Sequence, residues 1–409
     1  MRHYSPIMPS IGGIQLSEER KSLLNTQTYP REFTIVMPCL NERQTVGACV
    51  TQALAFLAEH DLDGEVIVAD NGSTDGSVDL AREAGARVVH VAEKGYGSAL
   101  RGGFAAAESR YIIMGDADGN HDLRNLMPFV EKLQAGYDLV VGNRFMGGIE
   151  AGSMTWVRRY VGNPFLSFVG RLFFQTPARD FHCGLRGIRR DALDRMRLQT
   201  SGMELASEMI IKSSLLDMKV TEVPTRQLPD APGRESHLNP IRDGWRHLRF
   251  LLLYSPRWLF LYPSLLMLLV GGGFSARLIL GPISFGDGIL DYHTLIYAGT
   301  FTVIGLMLLS FASIIYVYAH HNQLLAEQSN FPTFYRYFNL ERGVLLGGTL
   351  FFLGVMVLLL TIYLGLLGQF QVIGQSNTIR LVYTSSLLLI SGAQVIFTSF
   401  VLSILGLKV

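Results

Sequence analysis

From Phe33 onward, short apolar runs alternate with segments of helical period. FTIVMP (33–38), EVIVAD (65–70), ARVVHV (86–91), YIIMGD (111–116) and DLVVGN (138–143) read as strands. Their near-continuous apolar character is that of parallel strands covered on both faces. Helix-like stretches at 42–59, 75–84, 98–108 and 122–135 lie between them. The alternation predicts a doubly wound α/β sheet, mostly parallel. Such sheets bind ligands beyond the carboxyl ends of their strands. Polar clusters stand at those ends: PCLNE, DNGSTDGS, DADGNHD and GNR. Beyond them, 156–175 mixes arginines and aromatics at helical spacing, CGLRGIRR (183–190) is a candidate strand, a helix is expected around 203–216, and VTEVP (220–224) follows.

The pattern changes near residue 239. In NPIRDGWRHLRFLLLYSPRW, Ile241, Trp245, Leu248 and Leu252 fall on one helical face and Arg242, Arg246 and Arg249 on the adjacent one. That is the pattern of an interfacial helix, apolar side toward acyl chains and arginines at headgroup phosphates. Four apolar stretches follow, at about 258–280, 293–318, 344–367 and 381–406. Each is long enough to cross a hydrocarbon layer of about 30 Å. Charge is distributed accordingly: residues 258–409 hold five of the 35 Lys and Arg and four of the 34 Asp and Glu. The expected organisation is an N-terminal arm (1–32), an α/β domain (33–238), a juxtamembrane helix (239–257) and a membrane domain (258–409). Loop 281–292 has no Lys or Arg, whereas loop 319–343 carries Arg336 and Arg342 and 226–257 is rich in arginine. The positive-inside rule then places the α/β domain in the cytoplasm, at a plasma or inner membrane. Arg277 and Arg380, near outer ends of spans, run against the rule, and Arg380 is expected to snorkel. The first 32 residues lack an apolar core and read as a mobile arm, not a signal peptide. A net charge of +1 gives no sign of a nucleic-acid partner. Cys39, Cys49 and Cys183, an odd number without metal spacing, read as reduced thiols.

Asp116 and Asp118, one residue apart on a turn after a strand, suit a shared hard dication. Mg²⁺ and Mn²⁺ take oxygen ligands and keep waters plus a substrate diphosphate. Asn120 could add its amide oxygen. An N-cap role for Asp122 or Asn120 on the helix at 122–135 would explain one polar residue here, but not Asp116 and Asp118. Glu42 and Asp70, at the ends of the first two strands, could accept hydrogen bonds from a base or ribose; for Asp70 the turn formers of DNGSTDGS offer a local alternative. EKGYGSALRGG (93–103) follows the third strand. Its glycines would let backbone approach a ligand, and Lys94 could face a diphosphate, with plain turn chemistry as the alternative.

MPCLNE, VADNGSTDGS, DADGNHD, VGNRF, DFHCGLRGIRR, and VTEVPTR with RESHL occur in this order over about residues 33 to 240. In this the chain resembles the family 2 inverting glycosyltransferases, of the polyprenyl- or dolichyl-phosphate hexose synthase branch. The resemblance implies a GT-A type fold, Rossmann-like and mostly parallel, with the four membrane helices appended. It implies that Pro38, Leu40, Glu42 and Asp70 cradle the nucleotide and that Asp116 lies near ribose and diphosphate. Asp118, with Asn120 in the usual glutamine position, would hold the metal. Arg144 and Arg159, with Arg158 beside them, would bind the acceptor phosphate, and Ser236 and His237 lie where a loop closes over the donor. The chain departs from the pattern at Leu40 (usually tyrosine), Asn71 (usually an acid), Gly162 (where a phosphate-binding serine is expected) and His237 (usually lysine, with Arg234 nearby as a substitute cation).

The implied reaction is metal-dependent transfer of a hexose, with inversion, from a nucleotide-sugar to polyprenyl or dolichyl phosphate. UDP-glucose is favoured as donor, and GDP-mannose is the alternative. Asp180 and Glu208 are candidate orienters of the arginines, or core salt bridges. A processive polysaccharide synthase of the same fold is a rival; YSPRW (254–258) has the Arg-Trp of its Q-x-x-R-W motif but lacks the glutamine. A non-catalytic nucleotide-sugar-binding scaffold is another. Small residues at 271–273 suggest close helix packing, and the spans are expected to anchor or to form a homo-oligomer.

Overall fold

The computed structural model describes residues 29–229, 240–286, 288–321 and 340–406. Most of the N-terminal arm, the loop residues Arg234, Ser236 and His237, and Arg336 lie outside the described residues. The chain forms two compact units, with the main boundary between Gly244 and Trp245.

The first unit is built on strands β1 (Arg31–Cys39), β2 (Gly64–Asp70), β3 (Arg87–His90), β4 (Ser109–Met114), β5 (Leu139–Asn143), β6 (Arg186–Arg189) and β7 (Val220–Pro224). They form one sheet in the order β3-β2-β1-β4-β6-β5-β7. Every neighbouring pair is parallel except those of β6, which runs antiparallel to both β4 and β5. Central strands lack polar alternation because both faces are covered: Phe33, Ile35, Val36 and Met37 are all buried. Helix α1 (Val46–Glu59) covers one face with Val46, Cys49, Val50, Ala53, Phe56 and Leu57, the stripe of a 3.6-residue period. Helices α2 (Ser77–Glu83), α3 (Tyr96–Ala106), α4 (Met127–Gln134), the single turn α5 (Arg144–Gly147), α6 (Asn163–Phe174, entered through a π-helical turn at Arg158–Gly162), α7 (Arg190–Met196) and α8 (Leu205–Leu215) follow in chain order, and the next helix, α9 (Pro240–Leu253), carries the boundary to the second unit.

Two helices start later than their sequence pattern predicts. Helix α1 begins at Val46, not 42, because Asn41 is left-handed (φ 57°) and the carbonyl of Glu42 closes a turn onto Thr45 and Val46. Helix α4 begins at Met127, not 122, with a proline in its first turn. Asp122 therefore caps no helix; its Oδ1 accepts from the Arg124 N–H, 3.1 Å away, inside a turn. The candidate strand at 183–190 contracts to β6. Because Arg186 pairs with Met114 and Val141, residues 183–185 reach the edge where β4 and β5 end.

In the second unit, α10 (Arg257–Ile279), α11 (Tyr292–His321), α12 (Leu340–Leu366) and α14 (Gln375–Gly406) are long and apolar enough to cross a membrane; α13 (Phe370–Ile373) is a single turn. A short hairpin, β8 (Ile283–Phe285) and β9 (Gly288–Leu290), connects the first two. Of the glycines at 271–273 only the first packs closely: a Cβ on Gly271 would lie 2.7 Å from the Ala298 carbonyl, whereas Gly272 and Gly273 face open space. Arg380 does not snorkel. It is buried, pairs with Asp291, and donates to the Leu278 carbonyl (2.9 Å) and Asn377 Oδ1 (2.7 Å), while Ser376 donates to Asp291 (2.9 Å). With a carboxylate and a helix-end carbonyl in reach, the guanidinium is satisfied within the bundle. This pair ties α10, α11 and α14 together.

Asp291→Ala is expected to leave Arg380 buried without its counter-charge. Orphaning a buried charge costs about 3–5 kcal/mol, so the melting temperature of the purified protein in detergent should fall, and a paired Asp291→Leu, Arg380→Met replacement should recover most of it.

Candidate active site

Strand β4 delivers its acids just past its last residue. Asp116 is 24% exposed at its side chain, and its oxygens are fixed from three sides. Oδ1 accepts from the Tyr96 hydroxyl at 2.8 Å, and Oδ2 lies 3.6 Å from His121 Nε2. The third side is Gly184, where a Cβ would sit 2.1 Å from Oδ2. The segment leading into the reversed strand β6 thus requires glycine there, since its backbone backs directly onto the carboxylate. Burial alone would raise the Asp116 carboxyl, but the hydrogen bond and charge of His121, with Tyr96 and Arg144, hold it below the ordinary range. Asp118 accepts from the backbone N–H of Asn120 at 3.0 Å and from its side-chain amide at 2.7 Å. That leaves Asn120 Oδ1 buried and without a hydrogen-bond partner.

Asp116, Asp118 and Asn120 fit a small hard dication. Their donors are all oxygen. The buried Asn120 oxygen is the observation in favour, because a buried acceptor left without a partner costs about 1–3 kcal/mol. Among the described residues no three His, Cys, Asp or Glu side chains gather as a closed cage. Remaining ligands would come from substrate phosphates and water, the usual arrangement for Mg²⁺.

The ends of β1, β2 and β3 form a neighbouring cluster. Asp70 is buried, and both oxygens serve the turn: Oδ1 accepts from Ser73 N–H (3.0 Å), Oδ2 from Gly72 N–H (3.2 Å) and from His90 Nδ1 (3.1 Å). Burial opposes its ionisation, but the Ser73, His90 and Gly72 contacts outweigh it and lower the pKa. Asn71 explains its own departure from an acid. Its amide donates to the Val91 and Glu93 carbonyls (3.1 and 2.7 Å) and accepts from Gly95 N–H (2.7 Å). An aspartate could not donate. Lys94 is held by the Asn71 carbonyl at 2.7 Å. Glu42 is buried, with Thr45 Oγ1 3.4 Å from its Oε2, while Pro38 is half-buried within β1 and Leu40 is exposed.

Arg144 is buried at the start of α5 and paired bidentately with the fully buried Asp180: Nε to Oδ2 and Nη2 to Oδ1, both 2.8 Å. Its Nη1 lies 3.4 Å from Gln227 Oε1. Burial would raise the Asp180 carboxyl, but the Arg144 guanidinium holds it below the ordinary range. Glu222 on β7 supports the pair, accepting from the Asn143 amide (2.9 Å) and the backbone N–H groups of Arg179 and Asp180. Glu208 does not orient these arginines; it pairs with Lys212 at 2.7 Å and binds the 199–200 backbone. Arg158 and Arg159 lie on the π-helical turn, Arg159 over the Tyr160 ring at 5.4 Å. Around them Trp156, Val157, Tyr160, Val161, Phe165 and Phe168 are all exposed. Cys39, Cys49 and Cys183 are free and buried, and burial pushes their thiols up to about 11, 12 and 12, so none is a ready nucleophile.

Tyr96, His121, Gly184, Glu222 and Gln227 escaped the sequence reading. Only Tyr96 carried a local signal, as the one bulky residue between the glycines of KGYGS.

The Asp180 pKa predicts an acid limb. Because its folded value lies below the ordinary 3.8, the pair's contribution is complete above that pH and is lost as pH falls through the folded value. Asp180→Asn should lower the melting temperature at pH 7, orphaning Arg144 at a cost of about 3–5 kcal/mol. Melting scans between pH 7 and pH 3 should then show a shallower acid-side decline than in the unsubstituted protein.

The chain matches the Glycosyl transferase family 2 profile over residues 34–197 and the Glycosyltransferase family 2 C-terminal transmembrane region over 313–406. It is 32% identical over 379 residues to the low-salt glycan biosynthesis hexosyltransferase Agl6 of Haloferax volcanii, covering 91% of this chain and 89% of that one. It is 28% identical over 216 residues to a dolichyl-phosphate hexose transferase of the same organism, covering 52% and 89%. Among solved structures, glucosyl-3-phosphoglycerate synthase from Mycobacterium tuberculosis, in complex with Mn²⁺, uridine diphosphate and phosphoglyceric acid, aligns at 23% identity and a TM-score of 0.42 over 55% of this chain and 78% of its own. With its mostly parallel sheet of GT-A type and its four long apolar helices, the chain belongs to glycosyltransferase family 2 and is an integral membrane glycosyltransferase.

Proposed function

We propose that this enzyme transfers a hexose from a nucleoside-diphosphate sugar to a polyprenyl or dolichyl phosphate, inverting the anomeric carbon. The observation that carries the reading is the setting of Arg158 and Arg159. They stand on a ridge of exposed aromatic and aliphatic side chains, with Trp156 67% and Phe168 61% exposed. Such a surface suits an acceptor that is both phosphate and hydrocarbon; a water-soluble sugar acceptor has no use for the second part. The similarity to a dolichyl-phosphate hexose transferase supports the same acceptor class.

A phosphate monoester is anionic at pH 7, so its oxygen attacks the anomeric carbon without a strong general base. The bond from that carbon to the donor diphosphate breaks, and the nucleoside diphosphate leaves with the electron pair. The protein's work is alignment and management of negative charge. Arg144, held in place by Asp180, and Arg158 and Arg159 hold the acceptor phosphate, a task suited to the planar guanidinium fork. Asp116, Asp118 and Asn120 hold Mg²⁺ or Mn²⁺, which when bound screens the donor diphosphate. Pro38, Leu40, Glu42 and Asp70 line the nucleotide side. Lys94 reaches the diphosphate by leaving the Asn71 carbonyl. UDP-glucose is the favoured donor, with GDP-mannose second. The arginine-rich stretch before α10 and the Lys/Arg-free loop after it support a cytoplasmic catalytic unit.

Purified protein incubated with radiolabelled UDP- and GDP-sugars and polyprenyl phosphate should give organic-extractable label from one donor, and EDTA should abolish it. Label found only in insoluble polymer would overturn the acceptor. Asp118→Ala should lower turnover at least about a thousandfold, in line with the loss of a main source of charge stabilisation, while membrane insertion is retained. Arg159→Ala should raise the KM for the lipid phosphate about tenfold or more, as loss of a charged hydrogen bond predicts, with little change in the donor KM.

A further inference from the structure

The edge of the sheet holds a clamp that donor and acceptor binding leave unexplained. Residues 199–202 are pinned by the fully buried Glu208. Its carboxylate accepts from the N–H groups of Gln199 and Thr200, both 2.9 Å, and from the Thr200 hydroxyl at 2.6 Å, and it pairs with Lys212. The loop so fixed closes on the start of α3: the Ser201 carbonyl accepts from Gly97 N–H at 2.9 Å and Ser98 N–H at 3.2 Å. A Cβ on Gly95 would stand 2.1 Å from the Ser201 carbonyl oxygen, and one on Gly97 2.5 Å from that of Thr200, so glycine alone permits this approach. Between these two glycines stands Tyr96, and its hydroxyl reaches Asp116 Oδ1 at 2.8 Å.

We propose that Tyr96 is a positioning residue for the dication and donor diphosphate: the 199–202 clamp aims its phenol so that one oxygen of Asp116 is engaged and the carboxylate is held in a single orientation beside Asp118 and Asn120. This rests on the metal and nucleotide-sugar reading above. The physical need is plain. A carboxylate just past a strand end has two rotatable bonds, and a metal site tolerates displacement of only about 0.5 Å. Fixing the rotamer in the folded protein removes an entropic cost from the binding step. His121 and Gly184 confine the other oxygen but cannot set the first.

Tyr96→Phe keeps the ring and its packing and removes only the hydroxyl. Mn²⁺ binding to the full-length protein, followed by the electron paramagnetic resonance of free Mn²⁺ with UDP or GDP present, is expected to weaken about tenfold, the scale of one hydrogen bond to a charged group. The Mn²⁺ requirement of transfer should rise by the same factor, with kcat at saturating Mn²⁺ within about twofold of the unsubstituted enzyme. Glu208→Gln should shift Mn²⁺ binding in the same direction. If the unsubstituted protein binds Mn²⁺ with nucleotide and Tyr96→Phe binds it equally well, the positioning role is overturned while the donor site stands. If the unsubstituted protein binds no Mn²⁺ with either nucleotide, the metal reading falls and the positioning role falls with it.

Discussion

The buried pair of Arg144 and Asp180 is the interaction on which the geometry of the sheet edge depends. Arg144 follows β5, and Asp180 belongs to the segment leading into the reversed strand β6. Glu222 on β7 receives the Arg179 and Asp180 backbone and the Asn143 side chain. Gln227, just past β7, touches Arg144 and forms a bridge to His121, and Leu228 N–H donates to the Asn120 carbonyl at 2.9 Å. One ion pair thus connects β5, β6 and β7 with the 116–121 turn. Charges taken from water this completely are tolerated only when their hydrogen bonds are filled, and here the carboxylate accepts from two guanidinium nitrogens and from the Arg144 N–H. Removing either partner would expose the site to a loss of register, not merely of one contact.

How much of this was legible in the sequence depends on separation along the chain. Five apolar runs located β1 to β5 within a few residues, since a strand covered on both faces leaves its signature locally. The four long helices were legible for the same reason. The polar clusters could be placed at one edge because parallel strands all end on one side. What stayed hidden was the pairing between distant segments. Asn143 and Glu222 are 79 residues apart, and Tyr96 and Asp116 are 20 apart on different elements. Nothing in the period of CGLRGIRR distinguished a parallel from an antiparallel strand, yet the reversal of β6 is what brings Gly184 behind Asp116. The membrane bundle taught the same lesson: Arg380 alone looks like a residue that must reach water, and only the fold reveals Asp291 beside it.

Departures from the family pattern also acquire reasons at this level. Asn71 stands where an acid is usual because the loop after β3 offers two carbonyls and one N–H, a demand that only an amide meets. In return Asn71 fixes the chain next to Lys94, whose amine it also holds through its carbonyl. Asp70, by contrast, is absorbed by its turn, with one oxygen shared with the exposed His90. A substitution in one cluster is therefore compensated by its neighbours, and a motif scored letter by letter misses that coupling.

The catalytic unit sets Asp116, Asp118 and Arg144, all locked by neighbours, apart from Arg158 and Arg159 on their exposed turn. The carboxylates at Asp116 and Asp118 are locked by neighbours before any ligand arrives, as Tyr96, His121 and Asn120 show. Preorganisation of this kind is effective where charge must be met without rearrangement. Arg158 and Arg159 instead sit on a turn whose π-helical backbone is irregular, amid exposed apolar side chains. On the proposed reading, the locked carboxylates face the donor, and the exposed ridge with the fixed Arg144 faces the acceptor. A nucleoside diphosphate is compact and presents one set of oxygens. A prenyl phosphate arrives on a long and mobile tail, and a surface that binds it must first make room for hydrocarbon before it can align a phosphate. On the proposed reading the cost of ordering falls on the acceptor, so selectivity for a lipid would reside in the apolar ridge.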